Sequence, residues 1–522
     1  MSQRVLDRLT FGAKRAELDH VDKVGLRQWI AEQLAPTAED PAVEEALKTA
    51  VLRISYGATP DFAAVNENRP LGLLDKTTPE LWHLADGQNK IHYEERIRPL
   101  RELTAARLLR AAHSRWQVKE RMVDFWLDHF NVHAGDQSIA VAMPSFERDA
   151  IRKHSLGNFA DLLHSVAKST PMLIYLNNRS SRTGAPNENY ARELFELHTL
   201  GKGRYLNDLY NKWRQVPGAD KGLPEGYIDQ DVYEAARAFT GWVVEDGRGI
   251  GNGANLPKTG QFAYLDTWHD PYQKRVLAKE LDPFAPPMKD GEAVLNMLAD
   301  HPGTAHYLCE KLCRRFVSDT PPAALVASSA KVWTQHKRHP QQIARVLEHI
   351  FTSNAFAQAT QTGGPQKLKR PLELAMSFVR KLDLPHAPSI QLANELSAAG
   401  QRLYLWPTPD GHPDVTDYWL TTQSMRRRWF IPMGLIDNWW ATGAIAPEHL
   451  AKGFAKPVEE TALFAHHAQL LLGKDQAPQA LAQIAAAQKT PAKRVLGVAN
   501  DEWASVRRTL AYLAMSPAFQ WK

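Results

Sequence analysis

The stretch Asn187-Glu188-Asn189-Tyr190-Ala191-Arg192-Glu193-Leu194-Phe195-Glu196-Leu197-His198 packs three glutamates, two asparagines and an arginine close together. Asn187, after Pro186, suits a helix N-cap. At about 100° per residue, Glu188, Asn189, Arg192, Glu193 and Glu196 fall within one arc of about 140°. Tyr190, Ala191, Leu194, Phe195 and Leu197 fill the opposite arc. Such a polar face can bind a sugar or a carboxylate, and two carboxyls whose pKa values diverge supply an acid and a base. An ordinary solvated face would look similar, with Glu188/Arg192 and Arg192/Glu196 as i,i+4 pairs. Glu193 and Glu196 lead the candidate catalytic set, with Glu188 and Asp231 beside them. Asn189 and Arg192 are candidate substrate-binding groups.

Three further constellations could contribute. In Phe125-Trp126-Leu127-Asp128-His129-Phe130-Asn131-Val132-His133, the i,i+4 histidines could share a metal on a helix face. The zinc-protease glutamate is missing, however, and a hydrogen-bonded core histidine fits the aromatic surroundings of His129 better. No metal and no cofactor is therefore assigned. Asp231 with Glu234 resembles a capping box, and Gly241 suits the end of that helix, next to Trp242. Trp268-His269-Asp270, followed by Lys274, offers a His–Asp pair that could orient a proton-transfer group. His129, His269, Asp270 and Trp242 complete the substrate-binding candidates. The expectation is that the 188–196 face converges with His129, Asp231 and His269. No serine lies in a nucleophile elbow, and no glycine loop suits phosphate.

The elements that must hold these groups are helices. Helix-period patterns occur at 26–34, 101–116, 121–130, 146–167, 189–200, 231–239, 292–299, 303–316, 341–352, 371–382, 461–472, 478–488 and 501–514. Only 261–264 and, more weakly, 241–244 alternate as strands do. A mainly α, large globular protein follows, with at most a few short strands and long irregular loops at 203–228, 245–260 and 405–418. It forms one large helical domain or two closely packed lobes divided near 290–300.

Bulk composition narrows the function. With 44% apolar and 23% charged residues over 522 positions, the chain can bury a sizeable core. A net charge of +5 is too small a bias for nucleic acid. No apolar run reaches the roughly 18 to 20 residues of a membrane span, and no signal peptide is visible at the start. Two cysteines, Cys309 and Cys313, sit i,i+4 on a helix and read as buried thiols.

Taken in order, these pieces resemble the bacterial domain-of-unknown-function family 1800 nearly end to end. The match begins at Leu6-Asp7-Arg8-Leu9-Thr10-Phe11-Gly12 and passes through Phe125-Trp126 and His129-Phe130. Its most specific block is Asn187-Glu188-Asn189, Ala191-Arg192-Glu193 and Glu196-Leu197-His198-Thr199-Leu200-Gly201. Asp231-Val232, Thr240-Gly241-Trp242, His269-Asp270 and Lys274 follow. Lys311-Leu312, Arg315-Phe316-Val317, Lys369-Arg370-Pro371, Thr408-Pro409-Asp410-Gly411 and Ser516-Pro517-Ala518-Phe519 close the match. The resemblance implies a protein often exported, often encoded beside a sulfatase- and alkaline-phosphatase-like partner. That points to the periplasm or the exterior if a signal peptide was removed, and otherwise to the cytoplasm. The family usually passes from His-Thr-Leu-Gly to Asp-Val in about ten residues; here an insertion at 202–230 intervenes, placed to reshape a substrate entrance. Clustered carboxylates and 15 tryptophans lead to a hydrolase acting on a polysaccharide or oligosaccharide. The alternatives are a non-catalytic, export-linked binding partner and a metal- or cofactor-dependent enzyme using histidines.

Overall fold

A computed structural model describes residues 2–364, 366–385, 389–437, 439, 444–455, 458–488, 495–497 and 500–522. The chain is 58% helical, with 27 α-helices and only short antiparallel strand pairs among the described residues. The helix-period segments named above fall on helices, except that 146–167 is broken at 155–158 and 101–116 overruns the helix Arg98–His113. The expected strands pair with each other: Trp242–Asp246 runs antiparallel to Lys258–Tyr264, with Trp242 opposite Tyr264. The longer hairpin, Val51–Tyr56 against Val65–Pro70, gave no sequence signal. Its second strand reads Val-Asn-Glu-Asn-Arg-Pro and is mostly exposed, so no alternation marks it.

One apolar cluster of buried side chains extends from Val5 to Phe519. The helix Lys289–Asp300 belongs to it through Val294, Leu295 and Leu298. Cys309 and Cys313 are buried free thiols. No helix among the described residues is long and apolar enough to cross a membrane. The 202–230 insertion folds as four 3₁₀ turns over a small apolar cluster of its own, Val216, Ala219 and Ile228.

Two helices are continued by a π-turn, in which backbone bonds run i→i+5 and one extra residue enters the turn. Glu188–Glu193 continues as Leu194–Thr199, and Gln137–Ser145 continues as Phe146–Arg152. The first turn carries Glu196 and His198, and the second carries Glu147. Both of these turns face the charged interior described next.

Candidate active site

The helix Gln117–His129 is buried at every position except Lys119, so its carboxylates cannot reach bulk water. Asp124 and Asp128, one turn apart, must find cations inside the protein. Asp124 meets Arg107 at 2.6 Å and Arg315 at 2.9 Å. Asp128 meets Arg370 at 2.6 Å and Arg315 at 3.0 Å, and accepts the Nδ1 hydrogen of His412 at 2.8 Å. Arg315 also holds Asp414 at 2.7 Å. Three aspartates therefore face three arginines. Burial lowers the pKa of His412, keeping it neutral, and Lys367, 3.6 Å from Asp414, is balanced by Asp319 at 2.7 Å, so the cluster sums to zero charge. The arginines hold Asp124, Asp128 and Asp414 below the usual carboxylate range against the opposing effect of burial. Glu147, from the second π-turn, joins through the Tyr404 hydroxyl and through Arg110 and Arg152 at 3.4 Å each.

The loop carrying Tyr404 to Asp414 is fastened over this cluster. Asn131 donates to the carbonyls of Trp406 and Thr408, and Tyr175 donates to that of Pro407 at 2.8 Å. Gly411, at φ +73°, lies so close to the helix that an added Cβ would stand 2.0 Å from the Asp128 carbonyl oxygen. Gly411→Ala is expected to cost at least about 2 kcal/mol, from positive-φ strain plus overpacking. Urea unfolding measures it; a cost under about 0.5 kcal/mol would show that the loop is not pinned there.

Beneath the loop, His129 donates from Nε2 to the His198 carbonyl at 3.1 Å and accepts at Nδ1 from Lys311 at 2.9 Å. A carbonyl can only accept and an ammonium only donate, so the tautomer follows from the partners. Burial, then the Lys311 charge, holds His129 far below its ordinary pKa, and burial takes His198 down to about 3. Burial also brings Lys311 down to about 8.

The carboxylates of the 188–196 face, Glu188, Glu193 and Glu196, are each half-buried. At Glu193, burial first, then the negative charge of Glu196, raises the pKa. Asp410, exposed on the pinned loop, adds to the same effect. Tyr175 and Tyr307 share these surroundings. Burial raises each to about 12, with Glu193 and Asp410 acting on Tyr175 and Asp410 and Glu196 on Tyr307. Glu196 pairs with Lys202 at 3.4 Å. The π-turn decides this pairing. A regular helix would carry Glu196 back to Arg192, whereas Arg192 pairs with Glu188 at 3.3 Å and with Asp229 at 3.5 Å. Asn189 spends its side-chain amide on the Leu176 carbonyl.

The remaining candidates have other duties. Asp231 is the third residue of its helix, not the cap. Its carboxylate accepts the Ile228 N–H at 3.0 Å and the Leu277 N–H at 2.7 Å, and burial raises it to about 6. Glu234 pairs with Arg237 instead of closing a box. His269 and Asp270, adjacent in sequence, do not pair: His269 meets Asp290 at 3.3 Å, and Asp270 takes two bonds from Arg237 at 2.9 and 3.0 Å. Lys274 joins Asp290 at 2.7 Å. Trp242 is fully buried between Phe239 and Phe262, so its ring packs the core. The candidates thus turn to different partners. His129 lies with Lys311 and His198, Glu196 with Lys202, and His269 and Asp270 with Asp290, Lys274 and Arg237. His133 packs against Gly135, apart from His129's partners. Among the described residues, no group of three or more His, Cys, Asp or Glu side chains is arranged to hold a metal.

Sequence reasoning did not single out Asp124, Asp128, Arg107, Arg315, Arg370, Lys311 or His412 as site residues. The helix 117–129 gives no signal for them: Asp124 and Asp128 fall opposite the stripe of Met122, Phe125, Trp126 and Phe130, as they would on a solvated face.

Fold and site together define a mainly helical protein with a zero-charge ionic core and half-buried carboxylates on the 188–196 face. The family described as protein of unknown function (DUF1800) matches residues 4–521, and the chain belongs to it. No curated protein and no solved structure matches the chain.

Proposed function

We propose that the protein is a hydrolase acting on a glycan, with Glu193 as the protonated acid and Glu196 as the partnering carboxylate. The observation that carries this reading is the half-buried Glu193 carboxyl, its pKa raised by burial and by the charge of Glu196, one helical turn away. A glycosidic oxygen needs a proton as its bond breaks, and a carboxyl whose pKa is raised by its surroundings is the better placed of two to supply it. Asp410, on a loop fastened by Asn131 and Tyr175, is a third carboxylate in position to bind hydroxyls. The Asp124/Asp128 cluster takes no part in the chemistry; it keeps the loop and the helices in register. Such a substrate would be met in the periplasm or outside the cell.

The test is release of reducing ends from a panel of polysaccharides, comparing the parent chain with Glu193→Gln. The parent should cleave at least one member, and the variant should fold, bind and fail to turn over. Equal activity of the two, or no cleavage anywhere in a broad panel, would reject the reading.

A further inference from the structure

The 202–230 insertion packs against the helices Pro302–Phe316 and Ala323–Gln335, and a groove of about 840 Å³ opens between them. A second recess of about 280 Å³ adjoins it and shares Leu223, Pro224 and His301 as a common wall. Arg204, Lys221 and Lys331 line the larger space, Lys279 the smaller, and none of the four forms an ion pair among the described residues. The first three give the larger groove more positive than negative side chains. The one carboxylate lining the larger groove is Glu225. In the smaller recess, Asp300 is already taken by Arg338 at 2.6 Å and Lys337 at 3.8 Å. His301 adds no charge. Its Nε2 donates to the Pro224 carbonyl, its Nδ1 accepts from Gly303, and burial together with the Arg204 and Lys279 charges lowers its pKa. Leu223, Pro224, Ala327 and Ala330 supply apolar surface between the cations.

The groove is bordered by elements that also reach Glu196. Arg204 lies two residues beyond Lys202, the partner of Glu196, and its guanidinium rests against Gly303. On the helix Pro302–Phe316, His306 faces the groove and Tyr307 adjoins Glu196 and Asp410. A long ligand could therefore lie along the groove with one of its linkages at Glu193. Unpaired cations spaced along an extended surface attract spaced anions.

We infer that this groove is a binding subsite for an anionic glycan, a chain bearing carboxylate or sulfate groups, which it presents to Glu193. The inference rests on the hydrolase reading for what happens at Glu193, but the groove can be tested without turnover.

Polygalacturonate oligosaccharides, dextran sulfate and neutral pullulan serve as probes, titrated against the whole protein, Glu193→Gln and the double variant Lys221→Glu/Lys331→Glu. Both lysines are exposed, so the double variant should fold normally. The parent and Glu193→Gln should bind an anionic probe equally, more weakly as salt rises, and pullulan poorly. The double variant should bind the same probe about 10-fold more weakly or worse. Preference between the two anionic probes assigns carboxylate or sulfate. Equal binding by the double variant, equal binding of pullulan, or tighter binding of polyglutamate or single-stranded DNA would overturn the groove assignment. Groove-dependent binding with no cleavage of any glycan leaves the subsite standing and removes the hydrolase. Cleavage of neutral glycans untouched by the double variant does the reverse.

Discussion

Asp128→Ala should lower the stability of the protein by about 3–5 kcal/mol. The carboxylate removed is the shared partner of Arg315, Arg370 and His412, at 3.0, 2.6 and 2.8 Å. Two guanidinium groups would be left in the interior with one negative charge fewer. Breaking a buried ion pair from one side costs far more than the pair itself contributes, because the stranded charge has lost its water. Asp128→Asn should do nearly as much harm, since the amide keeps the shape but not the charge. Both are read from denaturant midpoints. A loss below about 1 kcal/mol would mean that the cluster is hydrated and not the anchor described.

The same cluster fixes a pH dependence. Asp124, Asp128 and Asp414 have folded-state pKa values below those of the unfolded chain, about 3.9 for aspartate. Their contribution is fully present above about pH 5 and is lost as pH falls towards their folded values. The parent chain should therefore lose stability more steeply between about pH 5 and pH 3 than Asp128→Asn does.

The second large effect falls on turnover. On any cleaved glycan, Glu193→Gln should reduce kcat by about 10²–10⁴ with little change in binding, as expected when a general acid is removed without altering shape. The basic limb of the pH profile should follow Glu193: activity falls as pH rises through its raised pKa, because the acid form is lost. Asp410→Asn should move that limb slightly downward, since one like charge disappears. A glutamine variant whose kcat stays within about threefold would mean that Glu193 transfers no proton.

Much of this architecture is legible in the residues. The apolar spacing finds the helices that carry the site, and two short alternations mark the strands at 242–246 and 258–264, though not that they pair. What was hidden has identifiable causes. A π-turn differs from an α-turn by one residue, so the run 189–200 reads as one regular helix although Leu194–Thr199 is not one. That single residue sends Glu196 to Lys202 and leaves Arg192 to Asp229. The ionic core was hidden for another reason. Asp128 draws its cations from Arg315 and Arg370, 187 and 242 positions away in sequence, and no local pattern records such a pairing. Trp268-His269-Asp270 shows the converse: neighbours in sequence that look like a dyad turn to different partners once folded.

Burial and the charge of Glu196 raise the pKa of Glu193, and on this its role as the acid depends. The most direct measurement is a carboxyl ¹³C NMR titration of glutamate-labelled protein, with the Glu193 signal assigned by its loss in Glu193→Gln. The midpoint should lie clearly above the ordinary glutamate value of about 4.3, moving down in Glu196→Gln and less so in Asp410→Asn. A Glu193 signal that titrates at or below the ordinary value, or one indifferent to Glu196→Gln, would contradict that role.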